Sequence, residues 1–515
     1  MDMNVFEPLP TPKEMAAWDK TAIVEIGIRQ EVLMENAGRE CLAALEHELG
    51  GLSGLRVLVL AGSGNNGGDA FVIARLLADK GALVDVYRKS SKEKYKGAAG
   101  YNLRLLDKVG IESKLINDPE NLPFADVVVD GLLGTGFKGE LREDYKALVE
   151  AVNEMAFASF VLSIDIPSGL NGLTGAPSPV AVTADATVTF HAAKLGLAMP
   201  GASEYTGVLY IGDIGIPAKV MREAPPACGL VTAGVAGLLP APDPEMHKGT
   251  AGHVLVAGGS RGLTGAPLLA ALGALRGGAG LATVTCPGGL SPEIKSGVPD
   301  VMTLPLGYGK VWMADLADKL AGSLERFDSL LLGPGLGRDG GSREFMREVL
   351  GKRMPRLVID ADGLYWLASE PDLMDNLPDG TILTPHPGEM ARLLDTSIGS
   401  VQNNRLEAAQ ALAERAGSVV VLKGAGTIIA NPAGYALIVP VEAPNLAVGG
   451  TGDVLAGLIA AMAARGMESI NAAALAAYWH AKAGKILGGD RPFRGNLARE
   501  VADALPQAIK EMNEC

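Results

Sequence analysis

Apolar and polar positions along this chain fall into two alternating kinds of block. Short runs dense in Val, Ile and Leu stand at residues 56–61, 82–87, 126–130, 160–166, 186–190 and 208–211. Between them, as over 70–80, apolar residues recur every three or four positions. The first kind predicts a strand buried on both faces, the second a helix with one buried side. Ala16, Ile23, Ile26, Val32, Leu33 and Ala37 predict a helical stretch ahead of the first strand. Strand, helix and strand over 56–87 have the length of one βαβ unit. A second series starts at 253–257 and continues at 281–285, 329–332, 357–360, 381–384, 419–423 and 427–430. Strands separated by helices imply parallel sheets covered on both faces.

The pattern breaks between the two series. Glu223-Ala224-Pro225-Pro226-Ala227 can continue neither a helix nor a central strand. The expected division is a first domain over 1–222, a linker over 223–228 and a second domain over 229–515. A chain of 515 residues exceeds one ordinary core, so more than one domain is required. Aromatics are scarce (5%) while 67 glycines are present, a profile of α/β proteins whose small residues pack helices onto sheets. The formal charge of −14 argues against nucleic acid or an anionic membrane as partner, though local loops can still bind anions. Cys41, Cys228, Cys286 and Cys515 form no CxxC pair and read as free thiols of a reducing compartment. Residues 1–12 hold no apolar signal core, and stretches such as 455–464 are too short to span a membrane. A cytoplasmic protein is expected, and a homo-oligomer.

Chemistry concentrates where glycines meet an aspartate. Gly62-Ser63-Gly64-Asn65-Asn66-Gly67-Gly68-Asp69 follows the first strand, and Gly449-Gly450-Thr451-Gly452-Asp453 precedes an Ala/Leu helix. Bare N–H groups at a helix N-terminus form an anion site. Gly62, Gly64 and Gly67 also fit G-x-G-x-x-G, with Asp85 on the next strand, which leaves open a dinucleotide-binding oxidoreductase. Asn65, Asn66 and Asp69 add side-chain oxygens that a plain pyrophosphate cradle does not need, but that a cation or a sugar hydroxyl would use. Asp130 and Asp165 end later strands, each followed by a glycine-containing loop (131–136 and 167–169). In an open parallel sheet such loops converge beyond the carboxyl ends of the strands.

The first half resembles the NAD(P)H-hydrate epimerase domain, through Asn36-Ala37-Gly38, GSGNNGGDA at 62–70, DGLLGTG at 130–136, DIPSGLNGLTG at 165–175 and ATVTFHAAKLG at 186–196. Ala70 departs from the family's usual glycine. The resemblance implies a Rossmann-like, doubly wound parallel sheet and a hydrated NADH or NADPH as substrate. Asn65, Asn66, Gly67, Gly68 and Asp69, with Gly134, Thr135, Gly136, Phe137, Lys138, Gly139 and Glu140, would hold its phosphates and ribose. Asn66, Asp130 and Ser168 would bind a potassium ion, and Asp165 would face the hydrated ring as a proton-transfer group.

The second half resembles the NAD(P)H-hydrate dehydratase branch of the ribokinase-like superfamily, an α/β/α fold. The match runs through KGTAGHVLVAGGSRGLTGAP at 248–267, GPGLG at 333–337, DADGL at 360–364, TPHPGEM at 384–390, KGAGT at 423–427 and GGTGDVLAG at 449–457. It implies that Ala266, Gly335, Gly337 and His386 contact the hydrate, and that Lys423, Gly424, Ala425, Gly426, Thr427 and Gly452 contact an adenine nucleotide, expected to be ADP accompanied by magnesium. Asp453 would be the base that activates the ring hydroxyl. No second His or Cys stands at metal spacing to His386, which argues against zinc. The expected whole is a repair enzyme in which one domain interconverts hydrate epimers and the other dehydrates one of them. Its rivals are an NAD-dependent oxidoreductase fused to a small-molecule kinase, and a non-catalytic nucleotide sensor.

Overall fold

The computed structural model describes residues 5–241, 244–490, 492 and 494–514, the side chains of 120 and 490 excepted. Cys515 lies outside the described residues. The chain divides into two compact units, Pro8–Cys228 and Gly229–Cys515, and residues 5–7 belong with the second.

In the first unit seven strands lie in the order Ser113–Leu115, Leu83–Arg88, Arg56–Ala61, Val127–Gly131, Phe160–Ile164, Ala186–Phe190 and Val208–Gly212. Every neighbouring pair is parallel. The chain order reverses between Arg56–Ala61 and Val127–Gly131, which opens a crevice beyond their carboxyl ends. Central strands such as Val127–Gly131 are buried along their whole length, as continuous apolar runs require. Ser113–Leu115 escapes the hydrophobic pattern because it is short and mostly exposed.

The second unit holds an eleven-stranded sheet. His253–Ala257, Leu281–Pro287, Met302–Leu306, Ser329–Leu332, Arg356–Ile359, Ile382–Leu383 and Val419–Leu422 are joined in parallel. Thr427–Ala430 and Ala436–Val439 then continue the sheet antiparallel. Cys228–Val231 and Phe6–Pro8 complete that side. Glycine and alanine act here as spacers. A Cβ on Gly457 would stand 1.8 Å from the Ala270 carbonyl oxygen, so helix Thr451–Ala464 meets helix Gly265–Arg276 backbone to backbone.

Four expectations change. The stretch over 16–37 is two helices, Pro12–Lys20 and Gln30–Leu49, parted by a π turn at Thr21–Glu25 and by Gly27 at φ +89°. Ile26 and Val32 are therefore exposed, not core. The helix after the first glycine loop begins at Asn65, so Asp69 sits inside it instead of opening it. The linker is shorter than 223–228, because Glu223 ends a helix and Cys228 begins a strand. The strands Phe6–Pro8, Cys228–Val231, Met302–Leu306 and Ala436–Val439 are additions to the predicted set. Among the described residues no helix is long and apolar enough to cross a membrane. Cys41, Cys228 and Cys286 are free and buried.

Candidate active sites

The first unit has a cavity of about 1020 Å³ at its strand-order reversal, lined by Asn65, Asn66, Asp69, residues 134–139 and Asp165 among others. Two close approaches build its floor. A Cβ on Gly62 would lie 1.8 Å from the Leu132 oxygen, and one on Gly67 would lie 1.9 Å from the Gly62 oxygen. Only glycine lets these backbones touch. The Ala70 side chain packs directly on Gly131, which could not itself carry a Cβ there.

Asp165 occupies a left-handed conformation (φ +67°), rare for a residue other than glycine and of the kind that collects at functional sites. Its Oδ1 meets the Nζ of buried Lys194 at 2.6 Å, and its Oδ2 accepts from the Thr135 N–H at 3.3 Å. Lys194 also donates to Thr189 Oγ1 (2.8 Å) and the Phe190 carbonyl (3.0 Å), which fixes its ammonium. Asp19 and Asp69 share this environment. Burial raises the Asp19 carboxyl to about 6, with Asp165 adding and Lys194 opposing. Burial first, then the charges of Asp165 and Asp19, holds Asp69 well above the usual carboxylate range. Like charges gathered around one ammonium disfavour one another's ionisation, which adds to burial in raising Asp19 and Asp69.

Asp130 and Ser168 lie behind the cavity wall. Fully buried Asp130 accepts from Ser163 Oγ (3.0 Å), Ser168 N–H (2.8 Å), Ser168 Oγ (2.6 Å) and Leu132 N–H (3.2 Å). Burial raises its pKa and these donors lower it. Ser168 Oγ in turn accepts from the Leu133 N–H at 2.9 Å. Asn66 donates to the Leu133 carbonyl at 2.9 Å, while its Oδ1 is buried with no hydrogen-bond partner among the described residues.

The second unit has a cavity of about 470 Å³, lined by Leu263, Ala266, Gly335, Gly337, Arg338, Ala361, Asp362 and Asp453. Ala361 carries another non-glycine positive φ (+51°). Asp362 clamps the glycine loop by accepting from Gly337 N–H (2.9 Å) and Arg338 Nε (2.8 Å). Asp453 stands in the first turn of helix Thr451–Ala464, whose N-cap is Gly450 at φ +95°. Burial and then the Asp360 charge push its carboxyl up to about 7; Asp362 and Glu389 add, and Lys423 opposes. Glu389 is likewise raised to about 7, chiefly by burial. Lys423 binds buried Asp360 (2.7 Å), which also accepts from Thr384 Oγ1 (2.8 Å). Its Nζ reaches the opening of the Asp453 helix, since a Cβ on Gly452 would lie 3.4 Å from it. The segment 423–427 and the Gly450–Asp453 turn are thus brought together.

Several sequence readings change. Gly67 and Gly68 underlie the first cavity without lining it: Gly67 packs on Gly62 and Gly68 on Met34. Glu140 is exposed outside the lining. Asp85 pairs with Lys114 at 2.9 Å, both half-exposed, and takes no part in the cavity. The dinucleotide fingerprint thereby loses its ribose-binding acid. His386 does not line the second cavity. Its Nδ1 accepts from Gly388 N–H (3.0 Å) and caps helix Pro387–Leu393, with Glu389 completing the capping box. Asp19 lay outside every quoted motif, and Lys194, Asp360, Asp362 and Glu389 lay inside quoted motifs without an assigned role. A lysine inside the otherwise apolar run 192–197 was the available signal for Lys194.

Comparisons with known proteins agree with this division. A family model described as NAD(P)H-hydrate dehydratase matches residues 254–507. A second, described as YjeF-related protein N-terminus, matches 30–196. The bifunctional NAD(P)H-hydrate repair enzyme Nnr of Moorella thermoacetica is 38% identical, over 98% of this chain and 97% of its own. Its namesake in Salinibacter ruber is 36% identical, over 98% and 96%. Among solved structures, the ADP/ATP-dependent NAD(P)H-hydrate dehydratase of Bacillus subtilis, co-crystallised with ATP/Mg2+, is 31% identical. It covers 55% of this chain and 97% of its own, with a TM-score of 0.48.

Proposed function

The chain belongs to the bifunctional NAD(P)H-hydrate repair enzymes, an epimerase unit followed by a dehydratase unit, and on that premise we propose how its residues divide the work.

In the first unit the hydrated nicotinamide ring lies against Asp165, with its phosphates and ribose along Asn65, Asn66 and residues 134–139. A proton from the raised carboxyls of Asp19 and Asp69 goes to the ring hydroxyl beside Asp165 as its C–O bond breaks and water leaves. The negative cluster stabilises the ring cation so formed. Return of water to either face, with the proton taken back, exchanges the epimers and involves no net redox change. The unsatisfied Asn66 Oδ1, beside the Leu133 carbonyl, fits a monovalent cation held near Asp130 and Ser168. Bound potassium would supply positive charge for the substrate phosphates.

In the second unit Asp453 takes the proton of the ring hydroxyl, whose oxygen attacks the terminal phosphorus of ADP and releases AMP. The phosphate ester then leaves as phosphate while the ring gives up a proton and recovers its double bond, restoring NAD(P)H. One observation carries this reading. Lys423, ion-paired with Asp360, brings its Nζ beside Gly452 at the helix N-terminus bearing Asp453, which supports a nucleotide on 423–427 reaching that base. Crowding of Asp360, Glu389 and Asp453 about that lysine suits a magnesium ion arriving with the nucleotide. The ion would share one or two of these carboxylates with the nucleotide phosphates. Magnesium would neutralise the phosphoryl charge. Incubating mixed hydrate epimers with ADP, and separately with ATP, tests the scheme. Complete return of reduced cofactor is expected with ADP. Recovery of one epimer only would refute the epimerase assignment, and no recovery would refute the dehydratase assignment.

A further inference from the structure

A guanidinium with no anionic partner among the described residues lies against the segment 423–427. Arg405 is only 8% exposed. Its Nη1 donates to Gln402 Oε1 at 2.7 Å. Its Nη2 donates to three carbonyls of one bend, those of Leu422 (3.2 Å), Lys423 (3.3 Å) and Gly426 (3.4 Å). Its Nε is buried with no hydrogen-bond partner among the described residues. Burial alone moves its acidity, lowering the pKa to about 10, so it stays charged at neutral pH with no carboxylate in play. Carbonyl dipoles solvate such a charge without neutralising it, and burying an unneutralised ion is costly. A side chain serving only to pin a loop would not need the charge.

The bend is shaped around the guanidinium. Gly424 has φ +136°, and a Cβ there would meet Arg405 Nη1 and Nη2 at 3.2 Å. A trans peptide points its C=O and N–H in opposite directions. Turning the Lys423 carbonyl down onto Arg405 therefore turns the Gly424 N–H up and away. Gly424 and Ala425 are exposed.

We propose that Arg405 is a positioning residue for the phosphates of the adenine nucleotide: it presents the Gly424 N–H to them and lends its unneutralised charge through the bend. The proposal rests on the reading that segment 423–427 holds the nucleotide.

The test uses the full-length protein with Arg405→Gln, which keeps hydrogen-bonding capacity and loses charge, and Arg405→Lys, which keeps charge and loses the fork. ADP and adenosine binding are measured by calorimetry, KM and kcat for dehydration kinetically, and amide exchange over 423–427 with and without ADP. Arg405→Gln is expected to weaken ADP about 10- to 100-fold and adenosine less than about threefold, with the loss in KM rather than kcat. Arg405→Lys is expected to fall between Gln and wild type, and epimerisation to stay unchanged in both. Equal weakening of ADP and adenosine, or unchanged ADP affinity, overturns the role of Arg405. If the Gln variant does not fold, the Lys variant decides by the same ADP-against-adenosine comparison. Failure of ADP to protect 423–427 in the wild type overturns the nucleotide assignment of the bend, and the proposal with it. Protection there with unaltered variant affinity overturns the proposal alone.

Discussion

Asp453 and Asp165, the two proposed proton-transfer groups, are similar carboxylates set apart by their neighbours. A base must be ionised to act, and Asp453 is pushed up to about 7. Dehydration, read as kcat/KM, should therefore fall with each step of pH below 7 and level off above it. A profile flat from about pH 5 to about pH 8 would remove Asp453 from the role of base. Asp453→Asn should lower dehydration by about a thousandfold and leave epimer exchange at the wild-type rate, since general-base catalysis contributes on that order. Asp165→Ala should do the converse, stopping epimer exchange while the epimer that the second unit uses is still dehydrated. Following both epimers chromatographically decides it, and continued exchange would refute the assignment. Both aspartates stood out in the sequence, Asp453 because it adjoins Gly452 at a helix start and Asp165 because it ends a strand ahead of a glycine-containing loop. Asp19 and Lys194 did not, because an acid on an amphipathic helix reads as a solvated face. What brings them to Asp165 is the packing of Pro12–Lys20 and of the loop after Ala186–Phe190 onto the cavity.

At the scale of elements, glycine spacing sets how closely backbones approach. Gly457→Ala would drive a methyl into the Ala270 carbonyl, 1.8 Å away across the Gly265–Arg276 helix. Displacing that helix should cost about 2 kcal/mol or more, as overpacking of a tight interface does. A lower denaturant midpoint with dehydration lost and epimerisation kept is the expected result, and an unchanged midpoint would show the helices can part freely. Strands buried throughout, such as Val127–Gly131 and Ser329–Leu332, were legible because continuous apolar runs have no other use at that length. Met302–Leu306 is partly exposed and contains a proline, so its residues lack that pattern. The start of the helix at Asn65 was hidden for a different reason. Asn-Asn-Gly-Gly has little intrinsic helix preference, and its first turn is held by Gly67 resting on Gly62.

For the whole molecule, two activities on one chain pose the question of transfer between them. Free diffusion of the hydrate predicts that a mixture of the Asp165→Ala and Asp453→Asn proteins, given both epimers and ADP, returns all the cofactor. Asp165→Ala alone should return one epimer's share and Asp453→Asn alone none. Failure of the mixture would mean that the two sites must share a chain. The sequence by itself determined that there are two α/β units and which glycine-rich turns are candidates for chemistry, because strand runs and glycine junctions are local features, while the reaction pair came from the likeness of those motifs to known families. Only the tertiary structure decided that His386 is a helix cap, that Asp85 is a surface ion-pair partner, that Asp19, Asp69 and Asp165 share Lys194, and that Arg405 lies uncompensated under the bend at 423–427. Those roles depend on burial and on charges distant in the chain, and a linear pattern carries neither.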